Sequence, residues 1–102
     1  MRKGIMPTVA ILETTIISRN PSVVTSEADG ELLMMNIEQS RYFTLNALGR
    51  DIWQRIQAEC SFSALVDALA LDYFASRATI SDDVAQFINK MAADNVIYLR
   101  QQ

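Results

Sequence analysis

The sequence predicts an α+β domain in which a small three-stranded antiparallel sheet is followed by three helices. This prediction rests on a change of pattern near Asn46. β-Branched and alternating residues precede it, whereas apolar residues after it recur every three or four positions. The chain has 102 residues, of which 50% are hydrophobic, and a net charge of −3. That length suits one domain with its own core, and that composition excludes a disordered chain.

The front half of the chain is predicted to begin with two strands joined by a tight hairpin. The first strand covers residues 14–27 and bends at Asn20-Pro21, because proline interrupts a strand. The Asp29-Gly30 pair is a strong hairpin signal and leads into a second strand over residues 31–37. The second strand contains an unbroken run of leucines and methionines at residues 32–35, which predicts burial on both of its faces.

Residues 41–45 are predicted to form the third strand after a short turn. In a meander this strand lies at the edge of the sheet unless the N-terminal segment covers it, within one chain or by exchange with a second. Such an edge suits a short strand without function, or a subunit that binds a folded partner. It equally suits a strand that binds an extended peptide against a neighbouring helix. The residue pattern alone leaves these alternatives open.

Three helices follow, and each is predicted to begin at a side chain that caps its N terminus, at Asn46, Ser61 and Ser81. The two aspartates after Ser81 would then lie in the first turn of the third helix, where the helix dipole favours negative charge. Asn95 is predicted to end this helix in a left-handed conformation, and residues 96–99 to continue as an extended tail. A module of three strands and three helices at this size has the winged helix-turn-helix layout or one close to it.

The composition argues against catalysis. The chain has no histidine and one cysteine, so it lacks the base of Ser-His-Asp and Cys-His catalysis and the usual ligands of zinc. Cys60 has no basic neighbour in sequence and is expected to be a passive thiol. Asp82 and Asp83 are better explained as helix N-terminal charges than as half of a metal site. We therefore expect no enzymatic activity, no metal and no cofactor.

The distribution of charge argues against a nucleic-acid partner. From Pro21 onward there are 11 acidic and six basic residues, and residues 81–95 carry three aspartates against Lys90 alone. A recognition helix with that balance would be repelled by a major groove. A winged-helix DNA-binding regulator is therefore kept only as an alternative. No secretory signal or membrane span is recognisable, so the cytoplasm is expected, without a membrane partner.

Several segments together resemble the PqqD-like family, whose members include the RiPP recognition elements. The segments are residues 19–21, 29–33, 41–49 and 52–53, with weaker support from 61–66, 83–88 and 95–97. The run Arg-Tyr-Phe-Thr-Leu-Asn-Ala-Leu-Gly at 41–49 is the most specific of them. The resemblance implies a domain over residues 14–100, and it leaves residues 1–13 as a candidate for a flexible N-terminal extension.

The resemblance also implies a function. RiPP recognition elements bind the leader of a ribosomally made precursor peptide, and this chain is most similar to the stand-alone members of lasso peptide clusters. It would capture the leader and present it to a separate leader peptidase, as a monomer or a strand-exchanged homodimer. An alternative is a chaperone of another pathway such as pyrroloquinoline quinone synthesis. The Pro-Glu-Gly turn expected of that pathway's own member is missing between the second and third strands.

The expected leader site lies between the third strand and the third helix, where the leader would add as a further strand. Asp83 and Lys90 are expected to interact with charges of the leader, and some of the apolar helix residues must belong to the core instead. The candidate residues are Arg41, Tyr42, Phe43, Thr44 and Leu45 on the strand, and Asp83, Val84, Phe87, Ile88, Lys90 and Met91 on the helix.

The motif that follows the third strand has a physical explanation. Leu45 is expected to anchor the strand end in the core, and Asn46 to cap the first helix. Gly49 would allow this helix to pack closely against backbone, and Trp53 would supply one large core side chain.

Overall fold

The computed structural model describes residues 11–101. This part of the chain contains six strands and three helices: β1 (Ile16–Arg19), β2 (Val23–Ala28), β3 (Glu31–Asn36), β4 (Arg41–Leu45), α1 (Ala47–Arg55), β5 (Cys60–Ser61), α2 (Phe62–Tyr73), α3 (Arg77–Ala93) and β6 (Ile97–Arg100). The strands form two antiparallel sheets, and the helices pack against them. The α+β class is as predicted, although the described residues hold two three-stranded sheets rather than one.

The predicted meander is present as the sheet β2-β3-β4. Ala28 pairs directly with Glu31, so the loop of the first hairpin has two residues, Asp29 and Gly30. Both loop residues have a positive φ. Two adjacent positive φ angles match the right-handed twist of the flanking strands. β4 then pairs with β3 in a register that places Phe43 opposite Met34.

The second sheet, in the order β5-β1-β6, was not predicted. The segment predicted as one bent first strand is divided at Asn20-Pro21, and β1 leaves the meander to pair with β6, the former extended tail. The backbone N–H of Asn20 donates to the Val96 carbonyl oxygen at 3.0 Å, which fixes this division. The local pattern indicated extended backbone on both sides of the bend, but not which strand each half would pair with.

Two of the three predicted helix caps are present. Asn46 accepts a hydrogen bond from the Gly49 N–H at 2.9 Å, and Ser61 accepts one from the Ala64 N–H at 3.1 Å. The cap predicted at Ser81 is wrong, because α3 begins at Arg77 and is capped by Ser76. Asp82 and Asp83 therefore lie inside the helix rather than in its first turn.

The core is formed by one face of the β2-β3-β4 sheet, by β1 and β6, and by the inner faces of the helices. Trp53 is buried as expected, and the guanidinium of Arg19 lies over its ring at 4.0 Å from the centroid. The close approach expected at Gly49 is present, but its partner is the Phe87 ring rather than backbone: a Cβ at position 49 would lie 2.3 Å from Phe87 Cζ.

The predicted N-terminal extension, residues 1–13, lies mostly outside the described residues. Its last three residues are described, and they contact the domain. Ile11 packs against the core, and the Glu13 carboxylate pairs with Arg77 Nη2 at 2.7 Å. None of the helices in the described part of the chain is long and apolar enough to cross a bilayer.

Candidate functional site

A mainly apolar groove runs between β4 and α3, with a volume of about 270 Å³. Phe87 and Met91 are one helical turn apart on α3 and therefore present their side chains on the same face. On the strand side, Phe43 and Leu45 alternate inward. The lining residues are Met34, Phe43, Thr44, Leu45, Phe87, Lys90, Met91, Asp94 and Val96.

One side of the groove is an open sheet edge. β4 pairs with β3 on one side only, and no other strand within residues 11–101 pairs with its second side. An unpaired strand edge presents backbone N–H and C=O groups that can pair with a further strand. The groove therefore combines backbone hydrogen-bonding groups with adjacent apolar surface.

Buried amides hold the C-terminal end of α3 against both sheets. Asn20 and Asn36 both donate from Nδ2 to the Asn95 carbonyl oxygen, at 2.7 and 3.1 Å. Asn95 has a φ of 61°, so the left-handed helix stop predicted from the sequence is present. Because both amides are buried, these bonds fix the distance between α3 and β3 at this end of the groove.

The same end of the groove carries a small charged cluster. The Asp94 carboxylate, with a side chain 19% exposed, lies 3.4 Å from Lys90 Nζ and 3.8 Å from Arg41 Nη2. The Arg41 guanidinium also lies over the Phe43 ring, 5.3 Å from its centroid. The apolar floor of the groove is therefore bordered at this end by two cations, Arg41 and Lys90, and by the Asp94 carboxylate.

The outer face of the β2-β3-β4 sheet is a second apolar surface. The burial predicted on both faces of β3 is wrong: Leu32 and Met34 are buried, but Leu33 on the other face is 37% exposed. Tyr42 extends this outer face on β4 and is 73% exposed. A shallow hollow of about 280 Å³ lies here. Further apolar members of this outer sheet face are Val24, Met35 and Ile37.

A larger hollow of about 440 Å³ lies near the N-terminal end of α1, and its lining residues Arg50, Asp51 and Tyr73 are engaged in hydrogen bonds. Arg50 donates to Glu27 Oε2 at 2.7 Å and to the Gly30 carbonyl at 2.9 Å. Asp51 accepts hydrogen bonds from Arg55 and Tyr73. We interpret this region as an ion-pair network that connects α1 to the hairpin and to α2.

The groove collects six of the predicted site residues: Phe43, Thr44, Leu45, Phe87, Lys90 and Met91. Arg41 lies at the rim of the groove, where its guanidinium is 3.8 Å from the carboxylate of the lining residue Asp94. The remaining four lie elsewhere. Tyr42 is on the outer sheet face, Val84 and Ile88 are fully buried in the core, and Asp83 is exposed on α3 without lining the groove.

Sequence reasoning missed three lining residues, namely Met34, Asp94 and Val96. Met34 could have been found from strand register, because it lies opposite Phe43. Asp94 follows Lys90 by four residues and so shares its helix face. Val96 had no local signal, since its position depends on how the chain leaves α3.

The described residues show no arrangement suited to metal binding or thiol chemistry. Within residues 11–101 no group of three or more Cys, Asp or Glu side chains is placed to hold a metal ion. Cys60 is half-buried on β5, and burial raises the pKa of its thiol above the usual value. A raised pKa favours the unreactive thiol over the thiolate.

Comparison with known proteins identifies relatives. Residues 31–97, more than half of the chain, match the family of coenzyme PQQ synthesis protein D (PqqD). The solved structure of TbiB1 in complex with the TbiA(beta) leader peptide is similar in fold. Its TM-score is 0.72 at 25% identity, and the match covers 78% of this chain and 93% of that one. None of the curated proteins matches.

Proposed function

Since this chain belongs to the PqqD family, we propose that it is an adaptor that binds the leader of a ribosomally made precursor peptide and presents it to a partner enzyme. The observation that carries this proposal is the apolar groove beside the open edge of β4. The similarity to TbiB1, whose structure contains a leader peptide, supports the same function and favours a lasso peptide precursor.

Leader capture would occur by strand addition. The leader backbone pairs with the open edge of β4, and alternate leader side chains enter the groove between Phe43 and Phe87. Backbone pairing provides affinity that tolerates sequence variation, whereas the apolar floor selects large side chains. An extended leader loses conformational entropy on binding, so a groove formed in advance is required to offset that cost.

The proposed adaptor has no catalytic role of its own and acts in the cytoplasm, where precursor peptides are made. The outer sheet face, with Leu33 and Tyr42, is the surface best suited to the partner leader peptidase. A leader added to β4 would extend this sheet by one strand, and its outward side chains would lie beside Tyr42. The partner would then contact adaptor and leader together.

We also propose the winged helix-turn-helix layout for this domain, and the short connection of residues 74–76 between α2 and α3 supports it. The layout does not favour a DNA-binding regulator here. α3 includes Arg77, which the predicted helix lacked, but its guanidinium pairs with Glu13 and with Asp67 Oδ1 at 2.6 Å. A chaperone of quinone cofactor synthesis remains the alternative, since the matching family is named for that pathway.

The proposal is tested by titrating the ¹⁵N-labelled protein with synthetic leader peptides. The set includes TbiA(beta), leaders of lasso precursors and the precursor peptide of quinone synthesis. We expect chemical-shift changes concentrated on residues 41–45 and 87–96 for a lasso leader. Changes for the quinone precursor alone would establish the alternative, and changes for no peptide would contradict leader capture.

A pair of matched variants controls for folding. Phe87→Ala removes a groove side chain and is expected to weaken peptide binding at least about tenfold. Phe74→Ala makes the same change at a ring that is 95% exposed at the end of α2, so it should leave binding unchanged. Thermal melts of both variants separate a lost binding surface from a lost fold. Equal affinity of the two variants would place the peptide outside the groove.

A further inference from the structure

The charged cluster at the end of the groove contains more positive than negative charge. Lys90 and Arg41 both face the Asp94 carboxylate, at 3.4 and 3.8 Å, so two cations share one anion. Both cationic side chains remain more than half exposed. The whole chain carries a net charge of −3, which makes a net positive rim at the groove a local feature.

The position of Asp94 indicates what the cluster does. Asp94 is the C-cap of α3, where the negative end of the helix dipole disfavours a carboxylate. Lys90 and Arg41 offset that cost, and in return the carboxylate holds the two cations close to the groove. The Phe43 ring beneath the Arg41 guanidinium further restricts its position.

We propose that this cluster makes the groove selective for leaders with an acidic side chain beside their apolar anchors, an inference that rests on the proposed function. The acidic residue binds Arg41 and Lys90 at the end of the groove where β4 begins. Arg41, Phe43 and Leu45 alternate with period two on the groove side of β4. The acidic residue of an added strand therefore lies an even number of positions from its apolar anchors.

The chemistry favours an acidic over a basic peptide residue. Asp94 already interacts with two cations, so a basic residue would have to compete with them. The guanidinium of Arg41 has five N–H donors in a fork that matches a carboxylate, and few of them are used by one contact at 3.8 Å. A leader carboxylate bound there would also form an ion pair with an exposed cation, and Asp94 would keep its place in the cluster.

A display library of random twelve-residue peptides tests this inference, because selection from random sequences does not require the natural leader. Peptides are selected on the wild-type protein and on the double variants Arg41→Gln/Lys90→Gln and Arg41→Glu/Lys90→Glu. The control is Arg100→Glu, because the Arg100 side chain is as exposed as that of Arg41 but lies on β6 of the other sheet, where it pairs with Glu59. Melting curves establish that every variant is folded before selection.

We expect wild type and Arg100→Glu to enrich Asp or Glu at least about threefold at an even spacing from large apolar residues, as an exposed ion pair allows. The neutral double variant should lose this preference, and the reversed variant should enrich Lys or Arg instead. Apolar enrichment without any acidic preference overturns this inference and leaves leader capture intact. An acidic preference that persists in the neutral double variant also overturns this inference and leaves leader capture intact. Absence of any enriched pattern overturns both proposals.

Discussion

Gly49 and Phe87 show how one residue without a side chain shapes the groove. Glycine at position 49 permits the Phe87 ring to lie against α1, where it forms part of the groove wall. The sequence indicated a close approach at this glycine, since it follows a capped helix start. The partner was predicted to be backbone rather than Phe87, because Phe87 is 38 positions away in the chain.

Gly49→Ala is therefore expected to displace the Phe87 ring. Its Cβ would lie 2.3 Å from Phe87 Cζ, so we expect a loss of about 1–3 kcal/mol in unfolding free energy and weaker peptide binding. Urea denaturation measures the first effect and titration the second. Phe87→Leu should cost less stability in the Gly49→Ala background than in wild type. Additive effects of the two substitutions would show that they do not clash.

The caps of the helices are features of single elements. The cap of α3 was predicted at Ser81, and in the structure it lies at Ser76. Phe74 ends α2 in a left-handed conformation with φ of 51°, and α3 begins directly afterwards at Arg77 with Ser76 as its cap. The Ser76 hydroxyl then accepts from the Thr79 N–H at 3.2 Å.

Replacing each serine by alanine tests this boundary. Ser76→Ala should lower the unfolding free energy by about 1 kcal/mol, because it removes the acceptor of the first turn. Ser81→Ala is the matched control inside the helix and should change stability by less than about 0.5 kcal/mol. Urea denaturation at neutral pH measures both. A larger loss of unfolding free energy for Ser81→Ala than for Ser76→Ala would indicate that Ser81 is the cap, as the sequence predicted.

The connection between α1 and α2 makes stability depend on pH. Asp51 accepts hydrogen bonds from Arg55 Nε at 2.7 Å and from the Tyr73 hydroxyl at 2.9 Å, and Arg55 also pairs with Asp72. Burial acts to raise the pKa of Asp51, but the hydrogen bonds from Arg55 and Tyr73 hold it below its usual value of 3.8. A lowered carboxyl pKa contributes stability above about pH 4 that is lost as the pH falls through the folded-state pKa.

Asp51→Asn should therefore lower the unfolding free energy at pH 7 by about 1 kcal/mol. The loss should be smaller at pH 3, because the Asp51 carboxyl of the unfolded chain is then mostly protonated and the stabilisation by the lowered folded-state pKa declines. Urea denaturation at both pH values measures the difference. Asp82→Asn, at an exposed carboxylate of α3, serves as the control. The same loss at both pH values would mean that the contribution of Asp51 does not depend on its charge.

At the scale of the whole molecule, the Asn95 carbonyl connects the two sheets through α3. Asn20 follows β1 of one sheet and Asn36 ends β3 of the other, and both amides donate to this oxygen. Each asparagine is buried, so its hydrogen bonds are protected from competition with water. The groove between β4 and α3 depends on this connection, because it sets where α3 ends relative to the sheet.

Asn36→Ala should cost about 1–3 kcal/mol of unfolding free energy, because it leaves buried polar groups without their partner. It should also weaken peptide binding beyond any effect of stability, since α3 is released at the rim of the groove. Gln86→Ala, an exposed position of α3, provides the control. Peptide affinity at full folding, measured by titration, separates the two effects. Unchanged affinity would mean that the groove does not require this hydrogen bond.

By itself, the sequence determined the elements that depend on neighbouring residues. The Asp29-Gly30 hairpin, the caps at Asn46 and Ser61 and the left-handed stop at Asn95 all follow from local sterics and local hydrogen bonds. The family was also predictable, because its motif over residues 41–49 is continuous in the chain, and the match over residues 31–97 confirms it.

Only the tertiary structure decided which distant segments meet. In the folded chain β1 pairs with β6 instead of joining the meander. Phe87 and Met91 line the groove, whereas Val84 and Ile88 lie in the core. All four apolar residues share the same helical pattern, so periodicity could not separate core from groove. Burial depends on which surfaces pack against the helix: α2 and β6 adjoin α3 in the chain, whereas β4 across the groove is more than 30 residues away.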